Sequence, residues 1–446
     1  MKSRRYFVLT LVLILLLALT GSLIARAQEV VTVTWWTESG DFLQHVQDTF
    51  VKAFNDSHTN IKLELVGQAG LNDLLRTALQ AGEAPDILQT PGASFIAESL
   101  ASGQILPLDS YAEKNGWKDK LLPWAYESGI LENKLYSLPL TFESMVLFYN
   151  KTLFEKKGWT VPTNAADFWK LTQTISDAGI IPFAYSNSEW KPSNEHLIGV
   201  YLNNVAGSEN VYKALIGEKK WTDPEFAEAI QLLTDQITTK GWYSGSLDNY
   251  HAYTNADVMG DLTTEKAAMM ISGTWNFSSI DTFFTPEIAD QWDWAPIPMF
   301  KDGVGDYSYL LATGSTVSVN AKSKNIDAAV EVLNYLLSDP KKMLENAAGA
   351  GFGEFMVPMH FIEADFPEGS DPRVVRYFAD FAKVTGEGRY GYTTWTFWPA
   401  KPNVQLWTDI ESVWAGDETV ADYLAAQQAL WDTARTDGKT LPIPKR

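Results

Sequence analysis

The stretch VVTVTWW at residues 30–36 is a run of β-branched and aromatic residues that is typical of a buried strand. Apolar residues recur at helical spacing over 42–54 and alternate, as in a second strand, over 61–65. A helical pattern over 71–81 ends at a glycine, and APDIL at 84–88 begins a third strand. This order predicts an α/β fold in which helices cover both faces of a parallel sheet.

The alternation of strands and helices continues through the rest of the chain. A helix is predicted from the cap Asp223-Pro224 to Lys240-Gly241, and another from Ile326 to Leu337, closed by Asp339-Pro340. No flexible linker, low-complexity tract or long repeat divides the sequence. We therefore expect two α/β lobes that are joined by short strand-like crossings.

Residues 1–27 have the composition of a secretory signal peptide. Three basic residues precede an uncharged apolar stretch, and Ala25-Arg26-Ala27 is a small-x-small cleavage site. The alternative is a retained membrane anchor, because about 20 apolar residues can span a bilayer. No cysteine follows the cleavage site, so a lipoprotein anchor is not expected. We expect a periplasmic or otherwise extracytoplasmic protein.

The composition of the 446-residue chain is acidic, rich in tryptophan and free of cysteine. The formal net charge is −20, and it becomes −24 without the leader, which holds four basic residues and no acidic one. Nucleic acid is therefore an unfavourable partner. The absence of cysteine excludes disulfides, thiol nucleophiles and iron–sulfur clusters, and five histidines leave little material for a metal site. We expect no cofactor and no resident metal.

Six short motifs, taken together and in this order, resemble those of the extracytoplasmic solute-binding proteins of ABC importers, the family 1 group that includes maltose-binding protein. Each motif alone is weak, but their common order is a strong signal that covers nearly all of the chain after the leader. The motifs lie at 83–87 (EAPDI), 103–111 (GQILPLDSY), 135–139 (LYSLP) with 147–151 (LFYNK), 157–163 (KGWTVPT), 266–275 (KAAMMISGTW) and 321–325 (AKSKN).

The resemblance implies a two-lobed periplasmic-binding-protein fold with a ligand cleft between the lobes. Each lobe would hold a central sheet with flanking helices and would be assembled from discontinuous segments. The resemblance places crossings between the lobes near 139–143, near 296–299 and again after Asp339. We accordingly predict a first lobe from residues 28–140 with 299–340, and a second lobe from 141–298 with 341–446.

Candidate ligand-binding residues follow the predicted strands, because ligands of open α/β sheets bind beyond the carboxyl ends of the strands. Carboxylates, amides and hydroxyls would pair with sugar hydroxyls, and tryptophan faces would stack on the apolar side of a pyranose. A turn of small residues permits close approach of the backbone. The candidates are Trp36, Glu38, Gln68, Gln89, Thr90, Glu143, Trp190, Trp275, Asn276, Gly314, Ser315, Trp395 and Trp398.

Packing is the competing role for tryptophan in a chain of this size. Glu38 could instead complement a helix dipole, and Glu143 could be a surface hinge residue. The tryptophans that the pattern assigns to packing are Trp35, Trp407, Trp414 and Trp431.

The leading functional hypothesis is a binding protein that captures a mono- or oligosaccharide by hinge closure and docks on the permease subunits of an ABC transporter. The alternative is the same fold binding a polyamine or other organic cation, for which Glu38 and Glu143 among aromatic rings are suited. A more distant alternative is a secreted carbohydrate-active hydrolase or lyase, although no G-x-S-x-G or H-E-x-x-H motif is present. We expect no catalytic residues, no membrane insertion after leader cleavage, and a monomer.

Overall fold

The computed structural model describes residues 30–39, 42–90, 92–100, 102–189, 192–348 and 355–445. The predicted leader lies outside these residues. Strands and helices form two sheets with helical layers, which confirms the predicted α/β fold class. Within the part of the chain that is described, no helix has both the length and the apolarity to cross a bilayer.

The first sheet has five strands. They are β1 (Val31–Glu38), β2 (Ile61–Gln68), β3 (Ile87–Thr90), β6 (Leu138–Pro139) and β12 (Thr316–Val319), in the order β2-β1-β3-β12-β6. As the sequence predicts, β1 pairs in parallel with β2 and β3. β12 is antiparallel to both of its neighbours. The carboxyl ends of β1 and β3 therefore lie at the same edge.

The second sheet has four strands. They are β7 (Met145–Asn150), β8 (Ile181–Phe183), β9 (Ala267–Gly273) and β10 (Trp292–Ala295), in the order β10-β7-β9-β8. β8 and β9 are parallel, whereas β7 is antiparallel to β9 and β10. Every residue of β9 is buried, because helices pack on both faces of this sheet.

Two small pairings complete the strands. β11 (Tyr309–Leu311) is parallel to β13 (Tyr390–Tyr392), and β4 (Ile130–Leu131) forms a short hairpin with β5 (Lys134–Leu135).

Helices follow most strands, and the predicted start and stop signals fix several of them. The helix at 71–81 ends at Gly82, whose φ of 76° is the left-handed conformation that glycine adopts most readily. The α-helices before β8 are Phe42–Val46, Lys52–Ser57, Leu71–Ala81, Ala97–Leu100, Asp109–Asn115, Trp117–Lys120, Pro123–Ser128, Lys151–Lys157 and Ala165–Asp177. The later α-helices are Ser193–Tyr201, Ser208–Ile216, Pro224–Thr238, Leu247–Ala252, Asn255–Thr263, Asn276–Phe283, Ile326–Leu336, Pro340–Ala347, Pro372–Gly386, Thr394–Phe397, Ala400–Ala415 and Val420–Thr436.

Short segments of other helical types interrupt or join these helices. The π-helical segments are Gln47–Val51 and Leu202–Gly207, and the 3-10 segments are Ala93–Ile96, Ala289–Gln291 and Glu363–Asp365.

The hydrophobic core is divided between the two sheets. The smaller cluster contains Val33 and Trp35 of β1, and the larger contains Phe148 of β7 and Met269 of β9. A satellite cluster beside β3 holds side chains from several parts of the chain, namely Leu71, Leu75, Leu79, Leu88, Ile96, Ile105, Leu131 and Leu441. This division fits one core per lobe.

Two segments carry the chain between the sheets, and they are hydrogen-bonded to each other. The Leu140 N–H donates to the Ser315 carbonyl at 2.8 Å, and the Ser315 N–H donates to Thr141 Oγ1 at 3.0 Å. The Glu143 N–H likewise donates to the Ala312 carbonyl, with an N···O distance of 3.2 Å. We call these paired segments, 140–143 and 312–315, the hinge.

The return to the first sheet lies later in the chain than the crossing expected near 296–299. β11 pairs with β13, and Leu310 and Leu311 belong to the larger cluster, so the chain stays with the second sheet up to 312–315. Farther on, Met343 and Phe355 pack in the smaller cluster. The lobe boundaries remain a proposal. The pairing of β11 with β13 and the membership of the two clusters are the observations that constrain them.

Candidate functional site

A cavity of about 720 Å³ lies between the two sheets. Its first wall is formed by residues at the carboxyl ends of β1 and β3, where open α/β sheets bind ligands. Its second wall comes from residues within 185–196, 270–279 and 395–407, and the hinge closes the base. The volume lies in the range that holds a small molecule of a few rings.

Ten of the thirteen predicted binding residues line this cavity. They are Glu38, Gln89, Thr90, Glu143, Trp275, Asn276, Gly314, Ser315, Trp395 and Trp398. Trp36 does not, because it lies two residues before the end of β1 and its ring packs against the satellite cluster. Gln68 ends the edge strand β2, one strand away from the cavity. Trp190 lies outside the described residues.

Two tryptophans and a histidine form an aromatic wall. The His196 ring lies 5.0 Å from the rings of both Trp275 and Trp395, which are 6.1 Å from each other in an edge-to-face arrangement. Gly273 makes room for this wall, because a Cβ there would lie 2.0 Å from Trp275 Cζ3. Trp275 and Trp395 remain partly exposed, so their rings are accessible to a ligand.

His196 is held in its neutral form. Burial lowers the pKa of its imidazole to about 3, and its Nδ1 lies 3.2 Å from the Tyr185 hydroxyl. A neutral imidazole at this position packs against the tryptophans and adds no positive charge to the cavity. The binding residues predicted from the sequence do not include His196, because only the tertiary fold brings Trp275 and Trp395 beside it.

Glu195 is a buried carboxylate in the second wall that sequence reasoning missed. Only 4% of the residue is exposed, and its Oε2 accepts a hydrogen bond of 2.9 Å from Thr394 Oγ1. Burial raises the pKa of Glu195 to about 7, although hydrogen bonds from Thr394 and Asn403 oppose that rise. A carboxylate has about four acceptor positions, so acceptor capacity remains for a ligand donor.

Glu143 and Gly314 make the closest approach in the hinge. A Cβ at Gly314 would lie 1.7 Å from Glu143 Oε1, so no side chain fits there beside the carboxylate. Thr141 Oγ1 lies 3.5 Å from the same oxygen. Glu143 is 8% exposed and lines the cavity. The sequence predicted that the small residues of this turn let a ligand approach the backbone. In the structure, the space beside Gly314 is occupied by the Glu143 carboxylate.

Hydrogen bonds orient the remaining polar side chains of the site. Asn276 Nδ2 donates to Ser272 Oγ at 2.8 Å, which fixes the amide at the start of its helix. On the opposite wall, Thr90 Oγ1 and Thr316 Oγ1 are 3.1 Å apart. These pairs hold polar groups of both sheets in place, so a ligand would meet a preorganised surface.

Two tryptophans depart from their expected roles. Trp398 contributes an edge to the wall but is 1% exposed, and its ring packs 5.0 Å from Trp221 and 5.9 Å from Trp431. Trp407, which the helical pattern assigned to packing, is partly exposed and lines the cavity. The reason is tertiary: helix 400–415 turns the face that carries Trp407 toward the cavity.

The cavity is acidic. Its lining includes Glu38, Glu143, Glu189 and Glu195, and among the described lining residues there is no lysine or arginine. Partial burial raises the pKa of Glu38, which faces the cavity from the end of β1. Across the described part of the chain, no group of three or more histidine, aspartate or glutamate side chains is placed to hold a metal ion.

The family model for bacterial extracellular solute-binding proteins matches residues 37–343, more than half of the chain. The chain belongs to this family. The match includes both segments of the hinge and most strands of the two sheets, so the family assignment and the two-sheet fold rest on the same residues. The assignment agrees with the family resemblance that the sequence motifs carry.

Individual relatives are distant and match in part. An uncharacterized ABC transporter extracellular-binding protein of Pyrococcus horikoshii is 24% identical over 56% of this chain and 56% of its own length. A multiple sugar-binding protein of Streptococcus mutans is 24% identical over 64% of this chain and 66% of its own length. The chain thus spans about 56% and 66% of the length of these two relatives.

The fold extends over nearly the whole chain in comparisons with solved structures. A structure from a study of xylan utilization by Caldanaerobius polysaccharolyticus superimposes with a TM-score of 0.74 and 21% identity. That match covers 90% of this chain and 100% of the other. The likeness confirms the fold.

Proposed function

We propose that this solute-binding protein captures a carbohydrate in the cavity between its sheets and delivers it to the permease subunits of an ABC importer. The observation that carries the proposal is the composition of the cavity. Partly exposed tryptophan rings on one wall suit the apolar face of a sugar, and fixed acceptors on both walls suit its hydroxyls. The sugar-binding relative in Streptococcus mutans supports the same class of ligand.

The mechanism is capture without chemical conversion. A saccharide that touches Thr90 on one wall and Trp395 on the other gains all its contacts only when the walls are close together. It therefore shifts the population toward the closed form, which the permease would recognise. We further propose that the chain is a monomer exported by its leader to the periplasm.

An organic cation is the second candidate ligand. The four carboxylates of the lining, with no lysine or arginine among the described lining residues, would attract a positive charge that the tryptophan faces could also bind. A polyamine would exploit these features without needing the hydroxyl acceptors.

Intrinsic tryptophan fluorescence of the chain without its leader tests both candidates. The panel contains mono- and oligosaccharides, spermidine, putrescine and glycine betaine, and each mixture is analysed for products by chromatography. A saturable change with one saccharide class and no product is the expected result. A response to the cations alone would replace the ligand class, and conversion of a saccharide would overturn capture without chemistry.

A further inference from the structure

The end of the chain contacts both sides of the molecule. Helix 420–436 packs in the larger cluster through Tyr423 and Trp431, and the chain then leaves the helix at Gly438, with φ at 66°. We call the segment that follows, 437–445, the C-terminal strap. Most of its first residues are exposed, so what holds it in place lies nearer the end.

The strap is anchored first on the side of the first sheet. Leu441 is 9% exposed and belongs to the satellite cluster with Leu71, Leu88 and Leu131. Leu88 is part of β3, and Leu131 precedes the strand β6 of the same sheet. Burying a leucine side chain removes a large apolar surface from water, which makes this a substantial anchor.

Three residues later the strap is anchored on the side of the second sheet. The Tyr392 hydroxyl donates to the Pro444 carbonyl at 2.9 Å, and the Tyr390 hydroxyl donates to the Lys445 carbonyl at 2.6 Å. Ile443 packs against the larger cluster. The tyrosines belong to β13, which pairs with β11, and β11 leads directly into the hinge segment 312–315.

The strap between its two anchors is short and stiff. The sequence Leu441-Pro442-Ile443-Pro444 has two prolines, whose rings fix φ near −65° and favour an extended chain. Three extended residues span at most about 10 Å. The two anchored surfaces therefore cannot move far apart unless Leu441 leaves its cluster or the tyrosine hydrogen bonds break.

We propose that the C-terminal strap ties the two sides of the molecule together in addition to the backbone crossings and limits how far they open. The two hinge segments act through the continuous backbone, whereas the strap acts through side-chain anchors that can be removed singly. This role does not depend on the identity of the ligand, so it can fail while the proposed function holds.

Distance measurements between spin labels test the proposal without any ligand. Because the chain has no cysteine, Gln80→Cys and Lys401→Cys together give one label on each of two helices whose first residues line opposite walls of the cavity. The distances are measured by double electron–electron resonance in otherwise unchanged protein and in strap variants.

The variants remove one anchor at a time. Leu441→Ala removes the first anchor, and the double variant Tyr390→Phe with Tyr392→Phe removes the hydrogen bonds of the second. Lys439→Ala, at an exposed strap position, is the matched control. We expect a longer mean distance and a broader distribution in both anchor variants and no shift in the control.

Removal of 437–446 should give the largest shift. If that deletion does not fold, the two anchor variants decide the question alone. Distance distributions in both anchor variants that match the unaltered strap would overturn the proposal, provided that circular dichroism shows the variants folded.

Discussion

At the residue scale, the contact between Gly314 and Glu143 is the most exacting feature of the site. The two residues belong to different hinge segments, and the space between them does not admit a Cβ. The carboxylate, which lines the cavity, is thus positioned by the absence of a side chain on the opposite segment. This arrangement couples the conformation of the hinge to the chemistry of the cavity wall.

Gly314→Ala should displace the Glu143 carboxylate and weaken carbohydrate binding. We expect a loss of about tenfold or more, equivalent to about 1.4 kcal/mol or more, because a misplaced acceptor loses its hydrogen bond to the sugar. Isothermal titration calorimetry measures the change. Gly260→Ala is the control, since a Cβ there meets no atom within 4 Å and the position is helical. Unchanged affinity in Gly314→Ala would contradict the coupling.

Glu195 predicts a specific dependence of stability on pH. Its pKa of about 7 in the folded protein lies above the ordinary value of 4.5, so the folded state binds the proton more tightly. The stabilisation is complete below pH 4.5 and is lost as the pH rises through 7. The difference between these two pKa values corresponds to about 3 kcal/mol.

Glu195→Gln imitates the protonated form and should remove this dependence. Relative to the unaltered protein, its free energy of unfolding should be nearly equal at pH 4 and higher by about 3 kcal/mol at pH 8. Urea unfolding at pH 4, 6 and 8 measures the difference. His196, whose lowered pKa destabilises the fold in acid, is present in both proteins and cancels. A difference that does not change with pH would contradict the assignment.

The sequence predicts much of the first wall and less of the second. Glu38 and Thr90 follow strands that the β-branched pattern identifies, so the rule for carboxyl ends of strands finds them. Glu195 is buried beside Thr394, which lies 199 positions later in the sequence and donates a hydrogen bond to it. No local sequence pattern predicts such a contact. His196 was missed for the same reason.

At the element scale, the short helix Thr394–Phe397 places two neighbouring tryptophans in different environments. Trp395 faces the cavity wall beside His196, whereas Trp398 packs among Trp221 and Trp431 in the core. The sequence around them is flanked by proline and has no clear period. The helix therefore decides which ring is available to a ligand.

Trp395→Ala and Trp398→Ala should have opposite dominant effects. Trp398→Ala removes a buried ring and should lower the free energy of unfolding by about 3–5 kcal/mol. Trp395→Ala should cost much less stability but weaken saccharide binding at least tenfold, because a stacking surface is lost. Thermal unfolding and calorimetric titration of both variants separate the effects. Equal loss of stability in the two variants would indicate that Trp395 has a packing role in the core.

Helices with strong capping signals were predictable, and irregular helices were not. The helix at 71–81 and its glycine stop match the sequence prediction. The apolar pattern over 42–54 predicted one continuous helix, but the π-helical segment Gln47–Val51 interrupts it. Val46, Phe50 and Phe54 are nevertheless buried on one side, so the hydrophobic pattern reported burial more faithfully than helix type.

At the scale of the whole molecule, two sheets meet at a cavity, and two hydrogen-bonded hinge segments connect them. The parallel core of the first sheet was predictable, because β1, β2 and β3 follow each other in the sequence. The position of β12 was not, since it joins from more than two hundred residues away and runs antiparallel. The pairing of β11 with β13, which keeps Leu310 and Leu311 in the larger cluster, is long-range in the same way, and no local pattern predicts it.

Closure around a ligand should be visible in the overall dimensions of the molecule. Saturation with a bound saccharide should reduce the radius of gyration measured by small-angle X-ray scattering, because both walls must approach to contact one ligand. The scattering mass should remain that of one chain. A radius of gyration that does not change on saturation would show that capture does not require closure.

Carbohydrate binding in the cavity is tested by calorimetric titration of the chain without its leader, and of Trp395→Ala, with xylo-, malto-, galacto- and chito-oligosaccharides. We expect one site per chain for one saccharide class, a dissociation constant in the micromolar range or below, no product, and a loss of at least tenfold in Trp395→Ala. Absence of binding across the saccharides, or binding that Trp395→Ala leaves unchanged, would contradict a carbohydrate site in this cavity.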